Sequence, residues 1–228
     1  MDMFSLPLLK VLIKIGIGLA VVLPIFIAKF SKKPPREIKY VTEQMVIDDE
    51  GIDTLIGNGE AYRAVEPMFW NVSVYDGEEK YLQDLKSFSP EQRYVFAITS
   101  YESEVNNGGH DQFYFNSSGL VWQDAMNGFK ELGLTEYYDV IDESAKRLGG
   151  NPSKDRIERQ EQLEKLKPVT EGGTAFDDLD DKFYKLSETQ PLDKALASYI
   201  QKHKNKFHFN GQVTKPDIPP PPVSSPKR

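Results

Sequence analysis

The sequence predicts an all-α protein, in which a compact multi-helix bundle is preceded by one transmembrane helix and followed by a disordered, proline-rich tail. Apolar side chains recur at helical spacing through the middle of the chain, and the β-branched alternation typical of strands is scarce. A long apolar stretch lies near the amino terminus, and four consecutive prolines lie near the carboxyl terminus. We therefore predict a transmembrane anchor with a basic linker at 1–36, an acidic helical domain at 37–208 and a disordered tail at 209–228.

The composition fits one folded domain with additional ends. Of the 228 residues, 39% are apolar and 11% are aromatic, which is enough for a sizeable core. The chain has no cysteine, which excludes disulfides, thiol catalysis and cysteine-based zinc sites. Its three histidines, His110, His203 and His208, are too few and too scattered for a typical histidine-rich metal site. We therefore expect no metal and no cofactor.

The apolar segment 8–30 predicts a membrane anchor. Its uninterrupted core, 15–28, is shorter than the roughly 20 residues that span a bilayer, but lysines near its ends can extend to the headgroups. A cleaved signal peptide is one alternative, and it lacks a cleavage site of the A-x-A type. A buried helix is the other, and a helix that is apolar on all sides at the amino terminus more often spans a membrane. The basic flank at 29–36 favours a single-pass protein of the cell membrane with its C-terminal domain in the cytoplasm.

The middle of the chain is strongly acidic. Residues 37–200 hold 33 acidic and 16 basic side chains. A surplus of this sign repels nucleic acid and attracts basic proteins. The alternative explanation is that the acids only aid solubility.

Start and stop signals divide the same region into helices. Ser89 begins one helix as an N-cap, with Pro90 at the first helical position and Gln92 three residues after the cap. An Asn-Gly-Gly sequence at 107–109 predicts its end. Similar patterns predict six further helices, at 110–116, 121–132, 135–148, 154–167, 176–186 and 192–203.

The densest run of unusual residues, 102–116, predicts a corner between two helices. A carboxylate and several amides there can bond the free backbone groups at helix ends, which is a structural role. The catalytic alternative makes Glu104 or His110 a general base, and it needs a nucleophile or metal besides. We favour the structural interpretation, because the adjacent His110 and Asp111 point apart on a helix. The residues of this corner are Glu104, Asn106, Asn107, Gly108, Gly109, Gln112 and Asn116.

The same run carries a resemblance to a known family. The matching residues are the Ser-Pro-Glu-x-Arg start at 89–93, the corner residues with Phe113, the Ser117-Ser118-Gly119 break, Leu132-Gly133, the Leu179-Asp180-x-x-Phe183-Tyr184 run and Tyr199-Ile200. This pattern, over about 85–205, resembles the DNA-mimic protein family, a helical domain long catalogued as a domain of unknown function. His110 departs from it, since an apolar aromatic residue is expected there. The resemblance implies an all-α, often dimeric domain whose acids imitate the DNA backbone and occupy a DNA-binding protein.

Two groups of acids are candidates for such a surface. Residues three and four apart lie on one face of a helix, where successive carboxylates can approximate a row of phosphates. Acids at the start of a helix also complement its dipole, so part of the second group has a stabilising role as well. The predicted partner-binding residues are Glu136, Asp139, Asp142 and Glu143 in one helix, and Asp177, Asp178, Asp180 and Asp181 in another.

Together these observations predict a non-enzymatic, membrane-anchored acidic binding module that mimics the charge of DNA. Its expected partners are a basic protein, with a DNA-binding regulator as the class that the resemblance implies, the membrane through residues 8–30, and a second copy of the chain. We expect no direct nucleic-acid binding. One alternative is an enzyme of unknown reaction that uses Glu104, His110 and Asp111. The other is a membrane scaffold that recruits partners through its proline-rich tail.

Overall fold

A computed structural model describes residues 39–217 of the chain. Nine α-helices account for most of these residues: α1 Asp49–Gly57, α2 Glu66–Asn71, α3 Gly77–Asp84, α4 Pro90–Phe115, α5 Trp122–Glu131, α6 Thr135–Arg147, α7 Arg156–Glu164, α8 Asp177–Thr189 and α9 Leu192–Lys202. Four short 3₁₀ turns connect them, at Ala61–Val65, Leu85–Ser87, Ser117–Val121 and Lys204–Lys206. Two strands, β1 Tyr40–Ile47 and β2 Phe209–Pro216, form one sheet.

The sheet corrects the predicted all-α class and the predicted start of the disordered tail. The strands run antiparallel, since the hydroxyl groups of Thr42 and Thr214 lie 2.9 Å apart and Gln44 donates to Asn210 at 2.7 Å. Val213 of β2 is buried. Residues 209–216 are therefore a strand. A strand with few apolar positions, bounded by proline, gives little of the alternation by which strands are predicted.

The predicted membrane architecture is also corrected. Within residues 39–217, no helix is both long and apolar enough to cross a bilayer. The predicted anchor, 8–30, lies outside the described residues, as does the proline-rich segment from 218 onward. With no spanning helix to support them, we withdraw the predictions of a single-pass architecture and of a cell-membrane location. The predicted boundary between the anchor at 1–36 and the helical domain from 37 onward stays a prediction, whereas any tail begins after β2 and not at 209.

Helix α4 is the central element of the domain. Its predicted start is confirmed: Ser89 Oγ accepts from the Gln92 amide at 3.1 Å, and the Gln92 side chain accepts from the Ser89 amide at 2.9 Å. The predicted stop is a kink, because Gly109 has a φ of +72° that side-chain-bearing residues rarely adopt. The two arms of α4 therefore meet at a corner, where the family motif lies.

The core beside this corner is aromatic. The ring of Tyr101 lies edge-on to those of Phe113, Phe129 and Phe183, with centroids 5.0, 5.6 and 5.6 Å apart. All four side chains are fully buried. Edge-to-face pairs of this kind stabilise a core beyond the area that they bury. The contacts join α4, α5 and α8, and they hold the corner of α4 against α8.

Replacing the capping residue of α4 tests this local assignment. Ser89→Ala is expected to lower the free energy of unfolding by about 1 kcal/mol, because the Gln92 amide loses its acceptor. Urea denaturation followed by circular dichroism measures the change. Ser87→Ala, in the preceding turn, is the matched control and should leave the midpoint unchanged. Equal effects of the two variants would contradict the capping role.

Candidate partner-binding surface

Helix α6 presents the first predicted acidic row. Glu136, Asp139 and Glu143 are all exposed, and their spacing of three and four residues places them on one face. Asp142 is half-buried and bonds Lys146 one turn further on at 2.7 Å. Glu143 lies 3.6 Å from Arg147, which is a loose ion pair. The row is therefore accessible, while Asp142 is largely neutralised.

The second acidic helix, α8, is joined to α6 by an arginine. Arg147 donates to both carboxylate oxygens of Asp178, at 2.7 and 2.8 Å, and to the Ala175 carbonyl at 2.6 Å. The hydrogen bond from Arg147 holds the pKa of the Asp178 carboxyl below its ordinary value. Asp178 thus anchors α8 on α6, and its charge is used within the molecule.

The first residue of α8, Asp177, is held by the loop before it. It accepts hydrogen bonds from the amide and hydroxyl of Thr174, at 2.9 and 2.8 Å, and from the Thr170 hydroxyl at 2.8 Å. These bonds, led by the one from the Thr174 backbone, lower the pKa of Asp177. The carboxylate remains charged with only neutral donors around it. Four residues further on, Asp181 is exposed.

Asp180 is the predicted surface acid that the structure places inside. Its side chain is 14% exposed, and its Oδ1 accepts from both the backbone amide and the ring Nδ1 of His110, at 2.9 and 2.5 Å. His110 is fully buried, and its Nε2 lies 2.6 Å from the Tyr101 hydroxyl. Asp180 therefore belongs to an internal network, which we call the His110 network: Tyr101, His110 and Asp180.

Helices α6 and α8 together keep an acidic excess. They carry nine carboxylates and four basic side chains. A shallow groove between them brings Glu136 and Asp139 beside Lys182 and Lys185, so the surface is mixed in sign at that point. Within the described residues, four of the eight predicted acids, Glu136, Asp139, Asp177 and Asp181, form no ion pair.

The family corner is organised around one carboxylate. Glu104 accepts hydrogen bonds from Gln112 at 2.8 Å, Asn116 at 3.0 Å and the Ser118 hydroxyl at 2.6 Å. Burial raises the pKa of this carboxyl, but the three hydrogen bonds outweigh burial and keep the pKa below its ordinary value. Glu104 therefore stays ionised in a fixed position. Ser118 was not predicted as a partner of Glu104, although it stands two residues after Asn116 in the motif.

The remaining residues of the corner form the turn between the two arms of α4. Asn106 and Asn107 are exposed. A side chain at Gly108 would overlap Gln112, and one at Gly109 would overlap the Asp180 carboxylate. Both glycines thus permit the close approach that lets Glu104 and the His110 network form on either side of the turn.

The structure does not bring the residues of the catalytic alternative into one cluster. The His110 ring bonds Asp180 and Tyr101, and the Glu104 carboxylate bonds only neutral side chains. Burial raises the pKa of the Asp111 carboxyl, with the nearby Asp180 adding to the shift. Among residues 39–217, no hydrogen-bond partner is shared by Glu104 and His110. The arrangement therefore gives this alternative no geometric support.

A further group of acids, which was not predicted as a binding surface, lies outside the motif. Residues 40–85 hold eleven acidic and two basic side chains, an acidic excess per residue about equal to that of α6 and α8. Some of these acids are internally paired: Arg63 bonds Glu60 and Glu66, and Asp49 bonds His208. Counting charges in shorter windows would have found this excess.

Comparison with known proteins assigns the motif. The family model described as DMP19-like protein matches residues 86–203, which is just over half of the chain. The chain belongs to the DMP19-like protein family. This is a DNA-mimic family, so the resemblance carried by the corner motif is confirmed. The curated proteins and the solved structures that were compared gave no match.

The predicted binding acids lie within the part of the chain that matches the family. The DMP19-like domain, 86–203, contains the corner, the His110 network and both acidic helices. Its family fits a non-enzymatic acidic binding module. The match begins after α3 and ends before β2, so the acidic segment 40–85 lies outside the matched residues.

Proposed function

We propose that this DMP19-like protein binds a basic, DNA-binding protein and occupies the surface with which that partner contacts DNA. The observation that carries the proposal is the exposed row of Glu136, Asp139 and Glu143 on α6, with Asp181 on the neighbouring helix. Fixed carboxylates at helical spacing can take the place of backbone phosphates toward lysine and arginine side chains. The homodimer that the resemblance implies stays a prediction.

The predicted acids differ in how strongly they can attract a basic partner, because some of them are already paired within the domain. An acid already bonded to an arginine, as Asp178 is, offers little additional attraction to a partner. Exposed acids with no ion pair, which are Glu136, Asp139 and Asp181, keep their electrostatic field, and Glu143 keeps most of it because its contact with Arg147 is loose. Such charges steer a basic partner during approach. Because exposed charges are screened by salt, binding should weaken steeply as ionic strength rises.

The proposal is tested with a variant that removes four charges. Glu136→Gln, Asp139→Asn, Glu143→Gln and Asp181→Asn are combined, and the full chain is used to capture proteins from an extract fraction first enriched on DNA-cellulose. At low salt the parent should retain a DNA-binding protein that duplex DNA displaces. The four-charge variant should bind that protein at least about tenfold more weakly, because each exposed ion pair contributes modestly to the binding free energy and four are removed together.

A second variant of equal net charge is the control. Glu131→Gln, Glu161→Gln, Glu164→Gln and Glu171→Gln also remove four exposed acids, which lie on α5, on α7 and in the loop before α8, outside both acidic helices. This variant should bind the partner like the parent. Equal loss in both variants would reduce the effect to net charge, and a ternary complex with DNA would contradict occupation of the DNA-contacting surface.

A further inference from the structure

A groove of about 620 Å³ lies between α2 and the first arm of α4, apart from the acidic face of α6 and α8. Four large aromatic side chains on its wall are exposed, by between 37% and 82%: Tyr62, Phe69, Trp70 and Tyr75. Phe69 rests against the buried ring of Phe96, with centroids 5.0 Å apart. Aromatic side chains gathered at the surface of a folded domain indicate an interaction site.

The same groove contains the organised carboxylate of the family corner. Glu104 and its donor Ser118 both line it. The three hydrogen bonds to Glu104 come from neutral groups, and no basic side chain among the described residues lies within ion-pair distance of it. Glu104 is therefore a fixed negative charge, beside an aromatic wall, that the domain itself does not neutralise.

The basic side chain in the groove is already satisfied. Arg63 bonds Glu66 at 2.9 Å and Glu60 at 3.3 Å. These two carboxylates raise the pKa of Arg63, and the hydrogen bond that Arg63 donates to Glu66 is the leading cause. The lining as a whole thus carries a net negative charge, because Glu104 is left over once Arg63 and Glu66 are paired.

The acceptor geometry of Glu104 limits what can bind. A carboxylate has about four acceptor positions. Gln112 and Asn116 both donate to Oε2, and Ser118 donates to Oε1. One position on Oε1 is left, which suits a single additional donor. Aromatic faces next to a carboxylate attract organic cations, and a planar guanidinium stacks on such faces better than a strongly hydrated ammonium does.

We propose that this groove is a binding site for an arginine side chain of a partner protein. The guanidinium lies against the aromatic wall and donates one hydrogen bond to Glu104 Oε1. The identity of the partner rests on the proposed function, whereas the chemistry of the groove does not. The groove supplies selectivity for one anchoring arginine, and the acids of α6 and α8 supply the general attraction.

The test uses a blocked Gly-Arg-Gly peptide and the same peptide with citrulline, which keeps the shape of arginine but has no charge. Each is titrated into the full chain at low salt, and binding is followed by calorimetry and by the fluorescence of Trp70. The arginine peptide should bind at least about tenfold more tightly than the citrulline peptide. Glu104→Gln should remove that preference.

A second variant keeps the test independent of the stability of the corner. Tyr75 is 82% exposed, so Tyr75→Ala leaves the fold intact and should weaken the arginine peptide severalfold. The four-charge variant of α6 and α8 should bind the peptide like the parent. Equal binding of arginine and citrulline would overturn the proposal, as would unchanged binding in both Glu104→Gln and Tyr75→Ala.

These peptide experiments can fail or succeed independently of the capture of a DNA-binding protein. If the peptide binds as described and no DNA-binding protein is captured, the groove stands and the DNA-mimic role fails. If the four-charge variant loses the peptide while Glu104→Gln retains it, the arginine lies on the acidic helices and the groove proposal is wrong.

Discussion

Arg159→Met is expected to lower the free energy of unfolding by about 4 kcal/mol, because it removes a buried guanidinium that joins three segments. Arg159 lies in α7 and is fully buried. It donates to the carbonyl oxygens of Tyr114 at 2.7 Å, Asn116 at 2.8 Å and Ser153 at 2.6 Å. These carbonyls would be left in the interior without a donor.

Two of the three acceptors explain why an arginine is needed here. Tyr114 and Asn116 lie at the end of α4, where the last carbonyls of a helix have no partner within it. Burial lowers the pKa of Arg159 to about 10, so the side chain is still charged at neutral pH. A Cβ at Gly119 would lie 2.6 Å from the Arg159 Nε, so the following turn is shaped around the guanidinium.

Urea unfolding followed by circular dichroism measures the loss. Arg156→Met, one turn earlier in α7, is the matched control. Arg156 is exposed and donates to the Phe115 carbonyl at 3.1 Å, so this variant should lose no more than about 1 kcal/mol. Arg159→Lys should lose an intermediate amount of unfolding free energy, since an ammonium keeps the charge but lacks the planar set of donors of a guanidinium. Equal losses in the two methionine variants would contradict the bridging role.

The parts of the fold that could be predicted are those fixed by neighbouring residues. The start of α4 follows from Ser89, Pro90 and Gln92, all within one turn, and the break follows from the two glycines at 108 and 109. Local hydrogen bonds and backbone freedom decide such positions, so a short window of sequence contains the necessary information.

The sheet could not be predicted in this way. β1 and β2 are more than 160 residues apart, and their strands meet through pairs such as Thr42 with Thr214. Neither strand has a continuous apolar face: β1 is largely exposed, and the less exposed positions of β2 mix Phe209 and Val213 with Gly211 and Lys215. Pairing of this kind depends on the folded helices that bring the two ends together, and a local pattern does not contain it.

The candidate site, like the sheet, could be predicted from the sequence only in part. Helical spacing correctly places Glu136, Asp139 and Glu143 on one face of α6. It does not indicate that Asp178 bonds Arg147, 31 residues away, or that Asp180 bonds His110, 70 residues away. The aromatic groove is also a product of the tertiary fold, since Trp70 and Glu104 come from separate helices. Which acids face a partner is therefore decided by contacts between helices.

Asp180→Ala is expected to cost about 3 kcal/mol of folding free energy, although the residue belongs to a run of surface acids in the sequence. Its carboxylate accepts two hydrogen bonds from His110, one of them from the backbone amide at the kink of α4. Alanine would leave that amide and the buried ring nitrogen without an acceptor. The kink of α4 would then lose both of its hydrogen bonds to the Asp180 carboxylate of α8.

The adjacent residue provides the control. Asp181 is exposed, so Asp181→Ala should change the free energy of unfolding by no more than about 0.5 kcal/mol. Asp180→Asn should lower the free energy of unfolding less than Asp180→Ala does, because the amide oxygen of asparagine can still accept a hydrogen bond from the His110 backbone amide. Urea midpoints of the three variants, measured with the parent, give the ranking directly.

The same pair separates a structural carboxylate from a binding one. Under conditions where each variant is folded, Asp180→Ala should still bind the DNA-binding partner, whereas Asp181→Ala should bind it more weakly. The reverse ranking in binding, or equal losses of stability, would show that α8 presents a different face to the partner. The reason for the expected order is access: the Asp180 carboxylate is held inside by His110 and cannot contact a basic side chain of a partner, whereas the Asp181 carboxylate is exposed and can.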